Sequence, residues 1–405
     1  MSGRAGSRIA AVTTYRVDYP LEAPMADALH YIPSRAALLV EITGDDGMVG
    51  IGESAIYGGS GSVAEALIHD VLAPRVVGED VRQPERLWDR MLWPSHQLGN
   101  GGALPMAMSG VDIAVWDLMA RQARLPLWRL LGGHRDRVPA YASAGFYFEG
   151  KDVGALAEEF KGYVARGFRH AKMKVGRTPE TALNPLRHQV RPDFATVTFE
   201  EDLKRVRAVR AAVGEDFSLA VDANNAWNVA IALRAGRDFD RLGIAWFEEP
   251  VLTDDRAGSA ELARRLDTPI AGNETESLIS GFRDLINQRA VDIVQPDVIW
   301  TGGITGCRRI AALAYAAGLP VIPHVYSTAV SIAANLSFVA SLPNSHLLEF
   351  DQNPNALRTE LLDVPVEPDG HGVMTLTELP GLGVSLDRET LRRYQAAPSR
   401  TTEMS

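Results

Sequence analysis

The 405-residue sequence predicts an α/β protein built on a parallel (β/α) barrel, preceded by a smaller domain of mixed helices and strands. The chain is too long for one compact domain of ordinary size. From about residue 138, short β-rich segments alternate with helical patterns rich in alanine and leucine. These segments end in ionisable residues at nearly constant spacing, which favours a closed barrel over an open sheet.

The composition excludes several classes of protein. Apolar residues make up 46% and charged residues 23%, the ordinary globular mixture. With 41 basic and 51 acidic residues the net charge is −10, so the chain lacks the basic field that nucleic acid or an anionic membrane attracts. The single cysteine, Cys307, rules out an internal disulfide. Without a signal-like N-terminus, and with the apolar stretch 310–322 shorter than the ~18–20 residues of a membrane span, we expect a soluble, cytoplasmic protein.

The first 135 residues have mixed patterns. Residues 36–42 and 48–51 are typical of two strands joined by the turn at 45–47. Residues 109–131 have apolar side chains at helical spacing, with Ser109 as the expected N-cap and two glycines at the end. The sequence therefore predicts a hairpin followed by helices.

Eight β-rich segments form the predicted barrel: residues 139–143, 170–175, 218–222, 245–248, 269–274, 293–297, 321–324 and 346–349. Their polar ends are Asp222, Glu248, Glu274, Asp297, His324 and Glu349, at steps of 26, 26, 23, 27 and 25 residues. A barrel of roughly 200–250 residues divided by eight gives about 25–31 residues per unit. The C-terminal ends of barrel strands surround one mouth, so we expect these side chains to share a pocket.

One interval breaks this rhythm. Lys174 and Asp222 are 48 positions apart, and the excess lies at about residues 177–199. An insertion after a strand end lies on the active-site side of a barrel. This insertion is expected to be either a surface loop that contacts another subunit or a flap that contacts the substrate.

Carboxylates end three consecutive strands. Asp222, Glu248 and Glu274 together offer the oxygen ligands that Mg²⁺ prefers. Any one of them alone would more simply cap the following helix. Zinc is disfavoured because the chain has neither a His-Glu-x-x-His nor a His-x-His pattern.

Two lysines and a histidine supply acid–base groups. Strand alternation puts Lys172 and Lys174 on one face, and burial together with like-charge repulsion would lower a lysine pKa toward neutrality. His324 ends one strand and Asp297 the strand before it. An aspartate can fix the imidazole tautomer and stabilise its charged form, so this pair is a candidate second acid/base.

Taken together, these residues resemble the enolase superfamily, in its branch of mandelate racemase and muconate lactonizing enzyme-like proteins. The resemblance covers nearly the whole chain. It rests on the helix 109–117 and on these motifs: Lys172-Met-Lys174, Asp222-Ala-Asn224, Glu248-Glu-Pro250, Ile270-Ala-Gly-Asn-Glu274, Gln295-Pro-Asp297 with Gly302-Gly303, His324, and Leu348-Glu349-Phe350.

The resemblance implies a modified TIM barrel, (β/α)7β, over residues 136–360. It implies an α+β capping domain from residues 1–135, to which the segment 361–405 returns. Mg²⁺ would be held by Asp222, Glu248 and Glu274.

The resemblance also implies roles around an enolised substrate. Lys174 would be the acid/base on one face, with Lys172 tuning its pKa. The His324–Asp297 pair would serve the opposite face, and Glu349 would hydrogen-bond the substrate carboxylate. Removal of a proton α to a carboxylate creates a dianion, which cationic groups at its oxygens stabilise more than the ground state.

Two positions depart from the pattern. Glu248 and Glu249 are adjacent, and we assign the inward position to Glu248 by resemblance. Asn273 stands where relatives usually have glycine, and Glu276 lies close to the predicted ligand Glu274.

The leading functional hypothesis is dehydration of an acid sugar, an aldonate or aldarate, to a 2-keto-3-deoxy acid. One base would remove the proton α to the carboxylate, and His324 is the candidate acid for the departing β-hydroxyl. Coexisting Lys and His groups and a polar mouth with Asn224, Asn225 and Tyr326 motivate this hypothesis. Racemisation or epimerisation, or opening of a sugar lactone by a cycloisomerase, is the alternative; the run 348–358 looks like that of lactone cycloisomerases. A non-catalytic acid-sugar binder on the same scaffold is a third possibility.

Substrate selection is expected to depend on the N-terminal loops 19–31 and 56–62 and on the insertion. His30, Tyr31 and Tyr57 are the candidate contacts there. The resemblance implies a homo-oligomer, from dimer to octamer.

Overall fold

A computed structural model describes residues 8–56, 61–178, 191 and 193–404 of the chain. The N-terminal region is a curved antiparallel sheet covered by helices. Its strands are β1 (Ile9–Ala26), β2 (Tyr31–Gly44) and β3 (Val49–Ser54). The helices are α1 (Ser62–Ala66), a π-helical turn (Leu67–Leu72), α2 (Ala73–Val76), α3 (Pro84–Leu92), a 3-10 helix (Trp93–Leu98), α4 (Ala103–Ala123) and α5 (Leu127–Leu130).

The predicted hairpin is β2 and β3, paired in antiparallel register with Val40 opposite Gly52. Gly47, at φ 79°, makes the turn, a conformation that costs glycine little. The strands are longer than predicted, and β1, which pairs with β2 along most of its length, was not predicted.

The predicted helix over residues 109–131 is wrong at both ends. α4 begins at Ala103 and ends at Ala123, where Arg124 adopts a left-handed C-cap with φ 55°. Ser109 therefore lies inside the helix; its Oγ donates to the Pro105 carbonyl and accepts the N–H of Gly303. α4 is long and apolar enough to cross a membrane, but 89% of its apolar window is buried inside the protein, as in a core helix.

The barrel alternates strands and helices as predicted. In chain order its elements are β4 (Arg137–Ala144), α6 (Val153–Ala165), β5 (His170–Lys174), α7 (Phe199–Val213), β6 (Ser218–Asp222), α8 (Val229–Arg241), β7 (Phe247–Glu248), α9 (Arg256–Arg265), β8 (Ile270–Gly272), α10 (Leu278–Asn287), β9 (Ile293–Val294), α11 (Gly303–Ala316), α12 (Ala329–Ser341) and β10 (Leu348–Asp351).

The sheet closes through β10, which runs parallel to β4. Between α11 and α12 lies a further extended segment, residues 321–324. A parallel bridge between Val321 and Val294 joins it to β9. This is a (β/α)7β barrel. Its interior is filled by a compact apolar cluster that includes Tyr141, Trp246 and Ile322.

After the barrel the chain forms α13 (Ala356–Thr359), β11 (Val373–Thr375), α14 (Arg388–Tyr394) and β12 (Arg400–Glu403). β11 pairs with the start of β4. β12 then joins the capping sheet beside β1, with Thr13 opposite Thr401.

Candidate active site

The C-terminal ends of β5, β6 and β7 lie side by side in register. Lys174 pairs with Asp222, and Asp222 pairs with Glu248. All three side chains are buried. The polar residues that end these strands in the sequence therefore lie at the same level of the barrel, at its mouth.

Lys172 lies at the centre of an ion-pair cluster inside the barrel. Its Nζ contacts Glu248, lies 2.9 Å from Glu349 Oε1 and 3.6 Å from Asp222 Oδ2. Burial opposes the charged form of Lys172, yet the Glu248 and Glu349 carboxylates raise its pKa well above the usual value. Lys172 is an ammonium ion in this arrangement.

Among the described residues, Lys174 is ion-paired with one carboxylate. Its Nζ lies 2.5 Å from Asp222 Oδ2. Burial opposes its charge, but Asp222 raises the pKa of Lys174 to about 12, and this outweighs the opposite effect of Lys172. The predicted lowering of the lysine pKa is therefore wrong for this arrangement, because each ammonium group has a carboxylate partner.

Glu248 and Glu249 both reach the site, in different ways. Glu248 faces the barrel interior and accepts hydrogen bonds from Trp246 Nε1 and Gln295 Nε2, both at 2.9 Å, on Oε2. Burial raises its pKa to about 7. Glu249 lines the mouth from a left-handed backbone conformation, φ 43°, and accepts a bond from Asn225 Nδ2.

His324 and Asp297 form the expected pair. His324 Nδ1 lies 2.8 Å from Asp297 Oδ2, and the other Asp297 oxygen accepts from Asn335 Nδ2 and the Ile299 N–H. His324 Nε2 lies 3.3 Å from Glu274 Oε2. Burial opposes its charge, but Glu274 and the hydrogen bond to Asp297 raise the pKa of His324 to about 9.

Glu349 accepts hydrogen bonds through both oxygens. Oε1 contacts Lys172, and Oε2 accepts the Val325 N–H at 2.9 Å. Burial would raise its pKa, but Lys172 and other nearby cations lower it to about 2. An ionised Glu349 accepts hydrogen bonds and donates none. In this arrangement it forms an ion pair with Lys172.

Two of the predicted metal ligands, Asp222 and Glu248, are ion-paired with lysines. In the described part of the chain no three His, Cys, Asp or Glu side chains stand together as a ready-made metal cluster, because the lysines lie between the carboxylates. Three buried oxygens at the same cavity nevertheless accept no hydrogen bond among the described residues: Glu274 Oε2, a predicted ligand atom that lies 3.3 Å from His324 Nε2, and the neighbouring Glu249 Oε1 and Asn224 Oδ1. An all-oxygen donor set with unsatisfied atoms fits a hard cation such as Mg²⁺.

A cavity of about 720 Å³ opens above these groups, between the barrel mouth and the capping domain. Of the predicted substrate contacts, His30, Tyr31, Asn224 and Tyr326 line it, as does Asn225. Tyr57 lies outside the described residues.

Sequence patterns did not distinguish two polar residues that line this cavity, Arg35 and Asp27. Arg35 on β2 lies 2.7 Å from Asp351 on β10 and stacks over the Tyr326 ring at 3.8 Å. Asp27 lies within the predicted loop 19–31, in the turn beside His30, whereas Arg35 lies just beyond that loop. No spacing connects either residue to a barrel strand, so neither had a periodic signal.

The described end of the insertion packs on the capping hairpin. Phe194 stacks edge-on against Tyr31 with ring centroids 5.0 Å apart and belongs to a small apolar cluster with Ala26 and Tyr147. Arg177, almost fully buried, donates to the carbonyls of Asp27 and Phe194. Residues 179–190 and 192 lie outside the described residues.

Comparison with known proteins agrees with this architecture. Residues 9–132 match the family described as mandelate racemase / muconate lactonizing enzyme, N-terminal domain. Residues 155–390 match the family described as enolase C-terminal domain-like.

Three characterised relatives illustrate the similarity. Arabinonate dehydratase of Saccharolobus solfataricus is 39% identical over 88% of this chain and 89% of its own. D-galactarolactone cycloisomerase of Agrobacterium fabrum is 33% identical over 96% of this chain and 99% of its own. The crystal structure of L-talarate/galactarate dehydratase from Salmonella typhimurium LT2, liganded with Mg and L-lyxarohydroxamate, is 30% identical, with a TM-score of 0.83 over 100% of this chain and 96% of that one. The chain therefore belongs to the enolase superfamily, in its mandelate racemase and muconate lactonizing enzyme branch.

Proposed function

We propose that this protein is a Mg²⁺-dependent acid-sugar dehydratase that converts an aldonate or aldarate to a 2-keto-3-deoxy acid. The observation that carries the proposal is that Lys174 and the His324–Asp297 pair face one cavity at the barrel mouth, beside the carboxylates. Relatives named as arabinonate dehydratase and L-talarate/galactarate dehydratase support the same reaction class.

Magnesium is the metal of this site, and Asp222, Glu248 and Glu274 would hold it. When bound, the ion supplies positive charge to the oxygens of the substrate carboxylate as the α-carbon is deprotonated. Lys172, fixed by Glu349, places a second cation beside the same oxygens. Charge that is in place before the reaction stabilises the developing dianion without reorganisation.

Lys174 and His324 would transfer protons on the two faces of the α-carbon. Lys174 takes the α-proton on one face, and it does so once its ammonium proton has passed to solvent or product. His324, oriented by Asp297, serves the opposite face. General acid–base groups of this kind contribute typically 10²–10⁴-fold to a rate.

The test is incubation of the purified protein with Mg²⁺ and a library of aldonates and aldarates, with detection of 2-keto-3-deoxy acids. Lys174→Ala should reduce turnover by roughly 10³-fold while substrate binding by calorimetry remains. Product formation by K174A at the wild-type rate would identify another base. Binding without turnover in the wild type would favour the acid-sugar binder.

Cycloisomerisation of a sugar lactone is the second candidate, because the D-galactarolactone cycloisomerase resembles this chain over nearly its full length. In D₂O the three reactions separate. A racemase returns α-deuterated substrate of mixed configuration, a dehydratase yields a keto acid with loss of one water from the substrate, and a cycloisomerase consumes the lactone without loss of water.

We further propose that the enzyme is a cytoplasmic homo-oligomer. Trp93 and Leu98, each more than 60% exposed at the two ends of one capping-domain turn, are apolar surface that a second copy would cover. Light scattering after gel filtration gives the mass. A Trp93→Lys, Leu98→Lys double variant should then run as a smaller species than the wild type.

A further inference from the structure

A second His–Asp pair faces the cavity from the capping domain. In the turn between β1 and β2, His30 Nδ1 lies 3.0 Å from Asp27 Oδ2. Asp27 is buried, and its Oδ1 also accepts the N–H groups of Leu29 and His30 at 2.8 and 2.6 Å. These contacts orient the imidazole and leave Nε2 as the nitrogen not bonded to Asp27.

The turn is fixed beside the strand that carries Lys174. A Cβ placed on Gly176 would lie only 3.2 Å from Ala28 Cβ, so the turn packs directly on the backbone two residues beyond Lys174. Arg177 donates to the Asp27 carbonyl at 3.2 Å. The turn that carries His30 therefore packs on the segment that directly follows β5.

Charge keeps His30 protonated at neutral pH. The Asp27 carboxylate is the largest influence and raises the pKa of His30 to about 9. The groups that act on it from other elements are Lys174 at the end of β5 and Glu274 beyond β8. About two-thirds of the His30 side chain is exposed, so a proton given up in the cavity can be replaced from solvent.

His324 is less well placed for the hydroxyl that leaves. Its Nε2 lies 3.3 Å from Glu274, a predicted ligand at the carboxylate end of the substrate. The β-hydroxyl is one carbon farther from that carboxylate, and His30 lines the cavity from the capping domain. Tyr326, which also lines the cavity, is buried with a raised pKa and is therefore a poor proton donor.

We propose that His30 is the acid of the dehydration and that its Nε2–H protonates the departing β-hydroxyl. This assignment rests on the proposed dehydratase function. A barrel base takes the α-proton, and the electron pair of that C–H bond moves toward the carboxylate to give an enediolate. Return of that pair forms the C2=C3 bond of an enol while the C3–O bond breaks. The oxygen takes the His30 proton and leaves as water, and His30 becomes neutral. The enol then gains a proton at C3 and loses the proton of its C2 hydroxyl, which gives the 2-keto-3-deoxy acid.

The test compares water loss with fluoride loss. His30→Asn retains a donor toward Asp27 but has no transferable proton. We expect it to slow dehydration of the natural substrate by about 100-fold or more. Fluoride release from the 3-deoxy-3-fluoro analogue needs no acid, so H30N should release fluoride within about threefold of the wild-type rate, measured with a fluoride electrode. His371→Asn, in a surface turn remote from the cavity, is the matched control.

A second variant keeps the turn intact. In Asp27→Asn the amide oxygen can still accept the N–H groups of Leu29 and His30, but the charge that stabilises the imidazolium is lost. Dehydration by D27N should therefore fall off at lower pH than in the wild type, while fluoride release keeps the wild-type profile.

Two results would overturn the assignment: dehydration by H30N within threefold of wild type, or equal loss of water and fluoride elimination, which would mean a structural role. If the wild-type protein forms no keto acid from any acid sugar, that result contradicts the dehydratase function itself and not the role of His30.

Discussion

The two lysines of β5 differ in what they contact. Lys172 is shared among three carboxylates, whereas Lys174 pairs with Asp222 alone and lines the cavity. Alternation along the strand predicted that both share one face, but not which carboxylates they meet. The direction of their pKa shifts could not be predicted, because it depends on partners up to 177 positions away in the chain.

The adjacent acids Glu248 and Glu249 provide a residue-level prediction. Glu248 is in register with Asp222 on the inner face of the barrel, so Glu248→Gln should weaken Mg²⁺ binding by roughly 10–100-fold and reduce turnover. Glu249 lies at the rim in a left-handed conformation, and Glu249→Gln should retain turnover within about tenfold. Calorimetric titration with Mg²⁺ measures both. Stronger loss in E249Q than in E248Q would reverse the assignment.

At the level of elements, the capping domain supplies acceptors to the first turns of barrel helices. Asp112 on α4 accepts the Thr305 N–H at 2.9 Å and the Thr305 hydroxyl at 2.7 Å, at the start of α11. Ser109, one turn earlier, accepts the N–H groups of Gly302 and Gly303. These residues cap a helix in the other domain, and Ser109 does not cap its own helix.

Loss of this cap should destabilise the fold. Asp112→Ala leaves the buried Thr305 N–H and hydroxyl without that acceptor, and we expect the free energy of unfolding to fall by about 1–3 kcal/mol. Urea denaturation followed by circular dichroism measures the change. Asp284→Ala, at a partly exposed position on α10, is the control and should change stability by less than about 0.5 kcal/mol. Equal effects of the two variants would contradict the capping role.

The barrel strands were predictable because their polar ends repeat with the period of a (β/α) unit. The capping elements have no such repeat, and α4 shows the consequence. Its apolar pattern continues through Pro105 and Met106 before Ser109, so the first residue that could cap was mistaken for the start. Arg124 ends the helix in a left-handed conformation. A glycine at this position would have predicted the end of the helix, whereas an arginine does not.

At the scale of the whole molecule, buried charge joins the two domains. Glu53 at the end of β3 accepts the Thr328 hydroxyl at 2.5 Å and the Ser331 N–H at 3.0 Å, at the start of α12. Burial raises the pKa of Glu53 to about 7. A carboxyl group whose folded pKa is raised binds its proton more tightly when folded, so its contribution is complete below about pH 4 and is lost as the pH rises through 7.

Glu53→Gln removes this titration and keeps an acceptor for Thr328 and Ser331. Relative to the wild type, E53Q should therefore gain stability between pH 5 and pH 8, by up to roughly 3 kcal/mol at about 1.4 kcal/mol per pKa unit. Denaturation midpoints across that range measure the difference. A constant difference between the two proteins would show that Glu53 does not titrate there.

The residues of the candidate site come from both domains, and only those from the barrel had a periodic signal in the sequence. Its barrel residues were predictable, since Asp222, Glu274 and His324 end strands at regular intervals. The capping-domain residues that close the cavity, Asp27 and Arg35 among them, come from a hairpin whose place over the barrel is fixed only by tertiary contacts. Those contacts, including the bond from Arg177 to the Asp27 carbonyl, have no local signature in the sequence.

The central claim is that side chains from the ends of successive strands hold one cation and an enolised acid between two bases. A crystal structure with Mg²⁺ and the hydroxamate analogue of a turned-over acid sugar tests it most directly. We predict Mg–oxygen distances of about 2.0–2.1 Å to Asp222, Glu248 and Glu274, with Lys174 and His324 on opposite faces of the carbon that mimics the α-position. A cation bound away from these three carboxylates, or Lys174 turned toward solvent in that complex, would contradict it.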